Sequence, residues 1–168
     1  MPLDRVLFTA EELDDFLVSA TGEVLEKMFF TEIDTSGSDG TIETAQPIRV
    51  EVRFSGPWTG ALRMLIDEEP ARCLGTTLTC AEIDDFSRER CTQVAGEMAN
   101  MICGGLLSRI EPDATLVLTT PEEVQDVPAP EQAPAYSARR WFCFPEGSLW
   151  IELVLDPSRV NIFNERAN

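Results

Sequence analysis

Residues 48–66 read IRVEVRFSGPWTGALRMLI, and this stretch decides the class of fold. Apolar and polar residues alternate over Ile48 to Ser55, which is the period of a half-buried β-strand. The sequence GPWTG at Gly56 to Gly60 predicts a turn, and Ala61 to Ile66 predict the returning strand. The stretch therefore predicts an antiparallel hairpin.

A similar arrangement occurs later in the chain. Arg139 to Phe144 and Leu149 to Leu155 predict two strands, and the intervening PEGS predicts their turn. Each hairpin also follows a helical pattern with related sequence. AEELDDF at residues 10–16 leads into GEVLEKM at 22–28, and AEIDDF at 81–86 leads into GEMANMI at 96–102, with one extra helical turn between the blocks. Acidic clusters near helix starts are common by themselves, but the hairpins in the same order favour a duplication.

We therefore predict a two-layer α+β fold of pseudo-symmetric helix–hairpin units, with a mostly antiparallel sheet packed against long helices. The 168 residues fit a single domain, with halves at about 8–78 and 79–165. Between the halves, Glu68 to Leu78 predict a helix with Pro70 in its first turn. Leu116 to Leu118 predict a further strand, and the proline-rich residues 122–138 predict a mobile loop.

The composition excludes several functional classes. A net charge of −17 disfavours binding to nucleic acid or to a membrane surface. The chain has no histidine, which removes the commonest general base and zinc ligand. Its five cysteines form no C-x-x-C pair, and no apolar run is long enough to span a bilayer. We expect a reduced, cytoplasmic protein without a metal site.

The longest predicted helix carries an unusual polar line. The stretch GEMANMICGG at residues 96–105 contains three glycines, each of which costs a helix about 1 kcal/mol relative to alanine. Val94, Met98 and Ile102 follow the helical period and predict a buried stripe. Beside that stripe, four residues recur at helical spacing and share one line: Gln93, Glu97, Asn100 and Gly104. The glycines suggest a surface that is kept bare for a partner.

These residues resemble the CheC/CheX/FliY family of chemotaxis phosphatases, and CheX in particular. The family signature is a small or acidic residue, three positions, Glu, two positions, Asn, and a proline some twenty residues later. Glu97, Asn100 and Pro121 match it, and the order of helices and hairpins agrees over most of the chain. Two positions differ, because Gln93 occupies the first place and Glu26 of the first half replaces the amide that a second site would need.

The resemblance implies a function and a division of roles. Family members hydrolyse the aspartyl phosphate of a CheY-like receiver domain, which brings its own Mg²⁺ and lysine. Asn100 would orient the attacking water, and Glu97 would bind the regulator's lysine. Gln93, Gly104 and Leu107 would contact the partner, although Leu107 also fits ordinary core packing. The resemblance further implies a homodimer with no cofactor of its own.

Other interpretations stay open on the sequence alone. The chain fits a non-catalytic module that binds or sequesters a receiver domain, and it fits a dimeric structural relative without activity. A hydrolase that pairs Glu97 with Glu89 or Glu111 is a further alternative, with no spacing that fixes the geometry.

Overall fold

The computed structural model describes residues 8–34, 36, 39–125 and 137–155. The helices are α1 (Ala10–Phe29), α2 (Glu68–Thr79) and α3 (Arg88–Ile110), with a short 3₁₀ helix at Ile83–Asp85. The strands are β1 (Ile48–Ser55), β2 (Gly60–Ile66), β3 (Val117–Leu118), β4 (Glu122–Glu123), β5 (Ser137–Phe144) and β6 (Gly147–Leu155). Among the described residues no helix is long and apolar enough to cross a membrane.

All six strands belong to one antiparallel sheet. Its order is β3-β1-β2-β6-β5, and β4 also pairs with β1. Both predicted hairpins are confirmed, since Phe54 pairs with Gly60 at the first turn and Phe144 with Gly147 at the second. The hairpins meet at the centre, where β2 pairs with β6. The two helix–hairpin units therefore sit side by side and form the predicted α+β fold.

One face of the sheet packs against the helices. Alternate residues of β1 (Ile48, Val50, Val52 and Phe54) are buried on this face, as the alternating sequence predicts. Helix α3 lies across β1 and β2 and contacts both other helices. The buried side of α3 includes Met98, Ile102 and Leu106, none of which is exposed to solvent. The opposite side of α3 is consequently left at the surface.

Capping residues determine where the two long helices begin. At α1, the Thr9 hydroxyl accepts from the Glu12 amide at 3.1 Å, and the Glu12 carboxylate accepts from the Thr9 amide at 2.7 Å. At α3, the Ser87 hydroxyl accepts from the Arg90 amide at 3.2 Å. The acidic block at residues 81–86 therefore precedes α3 and forms the 3₁₀ turn, whereas its counterpart in the first half lies within α1. The two acidic blocks, which are similar in sequence, thus lie differently relative to their helices.

Strands β3 and β4 form an edge that a β-bulge interrupts. Leu118 pairs with Phe54 and Glu122 with Glu51, so two residues of β1 face the three residues 119–121. The Thr119 amide still donates to the Arg53 carbonyl at 2.8 Å. The predicted strand at Leu116 to Leu118 is confirmed as β3. The predicted loop at 122–138 needs correction, because it contains β4 and the start of β5; its residues 126–136 lie outside the described residues.

Candidate functional site

The polar line of α3 lies at the protein surface. Gln93 and Glu97 are exposed, and Asn100 and Gly104 are partly exposed, whereas Val94 and Met98 beside them are buried. The separation follows from the helical period, which places residues at steps of three and four on one side of the helix. The structure thus brings the predicted residues together in a single line.

The functional groups of this line have no hydrogen-bond or ion-pair partner among the residues that the structure describes. Among the described residues, no side-chain hydrogen bond or ion pair involves Gln93, Glu97 or Asn100. This freedom is notable for Glu97, because most arginines of the described region are already paired with carboxylates. The positions four residues before and after Glu97 are Gln93 and Met101, so no cation lies at helical pairing distance. Glu97 can therefore accept hydrogen bonds from a cation that a partner brings.

Gly104 leaves open space beside Asn100. A Cβ added at Gly104 would meet no atom within 4 Å, apart from its own helix backbone and chain neighbours. Any side chain at this position would project directly into solvent. The backbone of α3 is therefore accessible one turn beyond Asn100, in agreement with the prediction of a bare surface.

The other two glycines of α3 have different roles, and here the prediction of a bare surface is wrong. Gly96 is buried, and a Cβ added to it would lie 3.1 Å from Pro121 Cβ. Gly105 faces α1 instead, since its Cβ would lie 3.8 Å from Ala20 Cβ and 3.4 Å from Arg109 Nη1. Gly96 thus lets the edge strand approach α3, and Gly105 lets α1 approach it.

Leu107 does not belong to the accessible surface. Its side chain is 2% exposed and lies in the hydrophobic core. Leu107 falls on the buried side of the helix because it lies four residues after Cys103 and three before Ile110, both of which are buried. The prediction that it contacts a partner is therefore wrong in this structure, and core packing accounts for it.

The spacing along α3 does not favour a pair of catalytic carboxylates. Glu89 precedes Glu97 by eight residues, which corresponds to about 12 Å along a helix axis. Glu111 lies about 20 Å away along the same axis, and its carboxylate accepts from Trp58 Nε1 at 3.0 Å. Two carboxylates must lie within about 10 Å to share one reacting bond. The backbone spacing of both alternative pairs is larger than that.

The two cysteines of α3 do not form a nucleophilic site. Cys91 and Cys103 are buried free thiols. Burial raises the pKa of Cys103 to about 12, and burial also raises the pKa of Cys91. These thiols stay protonated at neutral pH, whereas a nucleophilic cysteine needs the thiolate. Among the described residues, no cluster of Cys, Asp or Glu is suited to hold a metal ion.

Pro121, which matches the family signature, also packs against Gly96, a contact that was not predicted from the sequence. Pro121 occupies the bulge between β3 and β4, where its missing N–H breaks no ladder hydrogen bond. Arg88, the first residue of α3, links this helix to β4, because its guanidinium lies 3.5 Å from the Glu123 carboxylate. The same guanidinium lies 3.2 Å from the Glu68 carboxylate of α2. The edge strand is thus fixed next to Glu97.

Comparison with known proteins agrees with this architecture. The family model described as chemotaxis phosphatase CheX matches residues 48–142. A chemotaxis protein CheX from Desulfovibrio desulfuricans has a similar structure, with a TM-score of 0.64 and 18% identity over 86% of this chain and 99% of its own. CheX from Vibrio vulnificus gives a TM-score of 0.67 and 17% identity over 89% and 99% of the two chains.

A third similar structure is a CheX–CheY–BeF₃–Mg²⁺ complex from Borrelia burgdorferi, with a TM-score of 0.62 and 17% identity over 84% of this chain and 96% of the other. No curated protein sequence matches the chain at a significant level. At these identities the structural likeness establishes the fold, and the family model establishes the family.

Proposed function

The chain belongs to the family of the chemotaxis phosphatase CheX, and on that basis we propose that it hydrolyses the aspartyl phosphate of a CheY-like receiver domain. One observation carries the proposal. The carboxylate of Glu97 and the amide of Asn100 lie one helical turn apart at the surface, and neither is bonded to any other described residue. Both groups are available to a partner that docks along α3.

Asn100 is the catalytic residue in this proposal. An acyl phosphate is already reactive, so the phosphatase mainly needs to position a water molecule in line with the bond that breaks. The amide oxygen of Asn100 can accept a hydrogen bond from that water. The amide is also neutral, so it does not repel the phosphoryl oxygens.

Glu97 is the docking residue. Its carboxylate would accept a hydrogen bond from the lysine of the receiver's phosphorylation site. A charge-assisted contact of this kind contributes about 1.5–3 kcal/mol when it is shielded from water. Because no cation of the described chain competes for Glu97, the full contact is available to the partner.

Gly104 and Gln93 would line the same docking surface. Open space at Gly104 lets the receiver approach the helix backbone beside Asn100. Gln93 is exposed one turn before Glu97 and offers an amide to the partner's rim. Leu107 is left out of this surface because it is buried.

In this proposal Mg²⁺ belongs to the receiver domain, as the resemblance implies. The Borrelia complex is described as containing CheY, BeF₃ and Mg²⁺, which supports such an assembly. The resemblance also implies a homodimer, which sedimentation at increasing protein concentration would test, and the cysteine usage favours a cytoplasmic location.

The rate at which the phosphorylated receiver decays tests the function. We expect the protein to accelerate phosphate release from its cognate receiver domain. The alternative is a binding module without activity, which the replacement at Gln93 favours. That alternative predicts a complex with the receiver but no acceleration, and absence of both results would overturn the proposed partner.

The net charge of −17 should affect how fast the protein associates with its receiver. The phosphorylation pocket of a receiver is itself acidic, so long-range repulsion should slow the encounter. Salt screens such repulsion over about 8–10 Å at physiological ionic strength. We therefore expect association to become faster, rather than slower, as salt increases.

A further inference from the structure

Helix α1 carries a second line with the same spacing as the line on α3. Ser19, Glu23 and Glu26 correspond to Gln93, Glu97 and Asn100 of that line, and Phe30, the residue that follows α1, corresponds to Gly104. Beside the line, Gly22 and Lys27 correspond to Gly96 and Met101. The surroundings correspond as well. A Cβ at Gly22 would lie 3.4 Å from Ile33 Cδ1, much as Gly96 abuts Pro121. After α1, Asp34 forms an antiparallel β-bridge with Cys143 of β5. After α3, β3 pairs in the same antiparallel way with β1.

The carboxylate of Glu23, which corresponds to Glu97, is fully occupied. Its Oε1 accepts from Lys27 Nζ at 2.6 Å, and its Oε2 accepts from Arg109 Nη2. The hydrogen bonds from Lys27 and then Arg109 are the main causes that lower the pKa of Glu23 to about 2. Both oxygens are thus engaged with cations of the same chain, whereas Glu97 has none.

Arg109 holds its position through several contacts. Its Nε donates to Ser19 Oγ at 3.2 Å and its Nη1 donates to the Gly105 carbonyl at 2.8 Å. The guanidinium therefore bridges α3 to two members of the α1 line. A cation brought by a partner would have to displace both Arg109 and Lys27 to reach Glu23.

The remaining positions of the α1 line also differ from an open docking surface. Glu26 places a negative charge where α3 has the neutral amide of Asn100. Phe30, the residue that follows α1, is 77% exposed and stands at the sequence position that corresponds to Gly104. Phe30 adopts a left-handed conformation with φ of 52°, which a bulky residue rarely does.

We infer that the α1 line is a closed counterpart of the α3 surface, kept shut by Arg109 and Lys27 on Glu23 and by Phe30, so that each chain binds one receiver domain through α3. This inference rests on the proposed function. It identifies Arg109, Lys27 and Phe30 as residues that restrict where a receiver binds. It also implies that Glu26→Asn alone cannot create a second site.

The test measures binding of the cognate receiver domain, held with BeF₃ and Mg²⁺, by titration calorimetry. The wild-type chain should bind one receiver per chain. A background with Glu97→Gln and Asn100→Ala should bind the receiver much more weakly, because Glu97 no longer docks it. Adding Glu26→Asn to this background should leave the receiver affinity unchanged. Adding Glu26→Asn, Lys27→Met, Phe30→Gly and Arg109→Ala together should tighten receiver binding at least tenfold over the background.

Arg140 provides a matched control. It also anchors α1, through an ion pair with Asp14, and its side chain is similarly exposed to that of Arg109. Arg140→Ala in place of Arg109→Ala should leave the α1 surface closed. Circular dichroism should show native helix content in every variant, since Lys27 and Phe30 are exposed.

Three results would overturn the inference while leaving the proposed function intact. The first is that the wild-type chain binds two receivers. The second is that Glu26→Asn alone restores receiver binding to the background. The third is that the variant with all four α1-surface changes is folded but binds the receiver no more tightly than the background. Absence of binding by the wild-type chain would instead overturn the proposed function, and this inference with it.

Discussion

Pro121 packs directly onto Gly96, with 3.1 Å between the proline Cβ and the position that a glycine Cβ would take. The contact joins the bulge of the edge strand to the helix one residue before Glu97. A separation of 3.1 Å is shorter than ordinary van der Waals contact, so a larger residue at 96 would have to displace the proline. Gly96 thus serves packing, while Gly104 of the same helix leaves its surface open.

Gly96→Ala should gain less stability than a helical glycine-to-alanine change normally provides. Alanine favours a helix interior by about 1 kcal/mol over glycine, but here its Cβ must push Pro121 outward. Chemical denaturation of the variant measures the effect. The gain should be larger when Gly96→Ala is made in a Pro121→Gly background, because glycine removes the Cβ that lies 3.1 Å from the new methyl group. A full gain in Gly96→Ala alone would contradict the packing.

Gly104→Ala should stabilise the protein and weaken receiver binding at the same time. The added Cβ meets nothing, so the helix gains about 1 kcal/mol, but the methyl group occupies the space that a partner needs. Denaturation midpoints and receiver affinity measure the two effects.

Gly105→Ala is the matched control for that variant. Its Cβ would make only contacts of 3.4 Å or more, with Arg109 and Ala20, so it should also stabilise the helix. It should leave receiver binding unchanged. Equal binding by both variants would remove Gly104 from the docking surface.

Leu107→Ala should destabilise the fold without a specific effect on the partner. The side chain is 2% exposed, and truncation of a buried leucine costs about 2–5 kcal/mol. Receiver affinity, measured on the folded fraction below the melting temperature, should match the wild type. A large loss of affinity in a variant of near-native stability would show that Leu107 reaches the partner after all.

The ion pairs of Glu23 should make stability depend on acid pH. The pKa of Glu23 is lowered to about 2 from an ordinary value of 4.5, so these pairs stabilise the folded state above the ordinary value and lose their effect as the pH falls towards 2. The difference in stability between the wild type and Lys27→Met should therefore shrink from pH 7 to pH 2. Because the pair is exposed, added salt should shrink it as well.

Arg139→Met controls for the general loss of positive charge in an acidic chain. Arg139 is exposed and has no ion pair among the described residues. Its removal should change stability much less between pH 7 and pH 2. The same pH dependence in both variants would mean that net charge, rather than the Glu23 pairs, sets the effect.

The hairpins and the exposed line of α3 were predictable because both depend on local periodicity. Alternation over Ile48–Ser55 specifies a strand with one buried face, and the GPWTG turn specifies its return. In the same way, a helical step of three or four residues places Glu97 and Asn100 on one side regardless of the rest of the fold. The structure confirms these local features.

The features that were not predicted depend on contacts between distant segments. Strand β4 has only two residues, both glutamates, and its pairing with β1 is set by the bulge rather than by its own sequence. The acidic block at 81–86 resembles a helix start, but the Ser87 cap begins α3 later. Helical spacing alone also did not reveal that Arg109 reaches across to Glu23, since this ion pair joins two different helices.

The role of Asn100 is tested most directly by the decay rate of the phosphorylated receiver when it is saturated with the protein. At saturation the rate reports the chemical step, while affinity is measured separately. Asn100→Ala should keep the fold and bind the receiver as the wild type does, yet reduce the decay rate by about 100-fold, because the water loses its positioning group. Glu97→Gln should mainly weaken binding. If Asn100→Ala at saturation accelerates decay as much as the wild type, Asn100 does not position the water and the central claim is wrong.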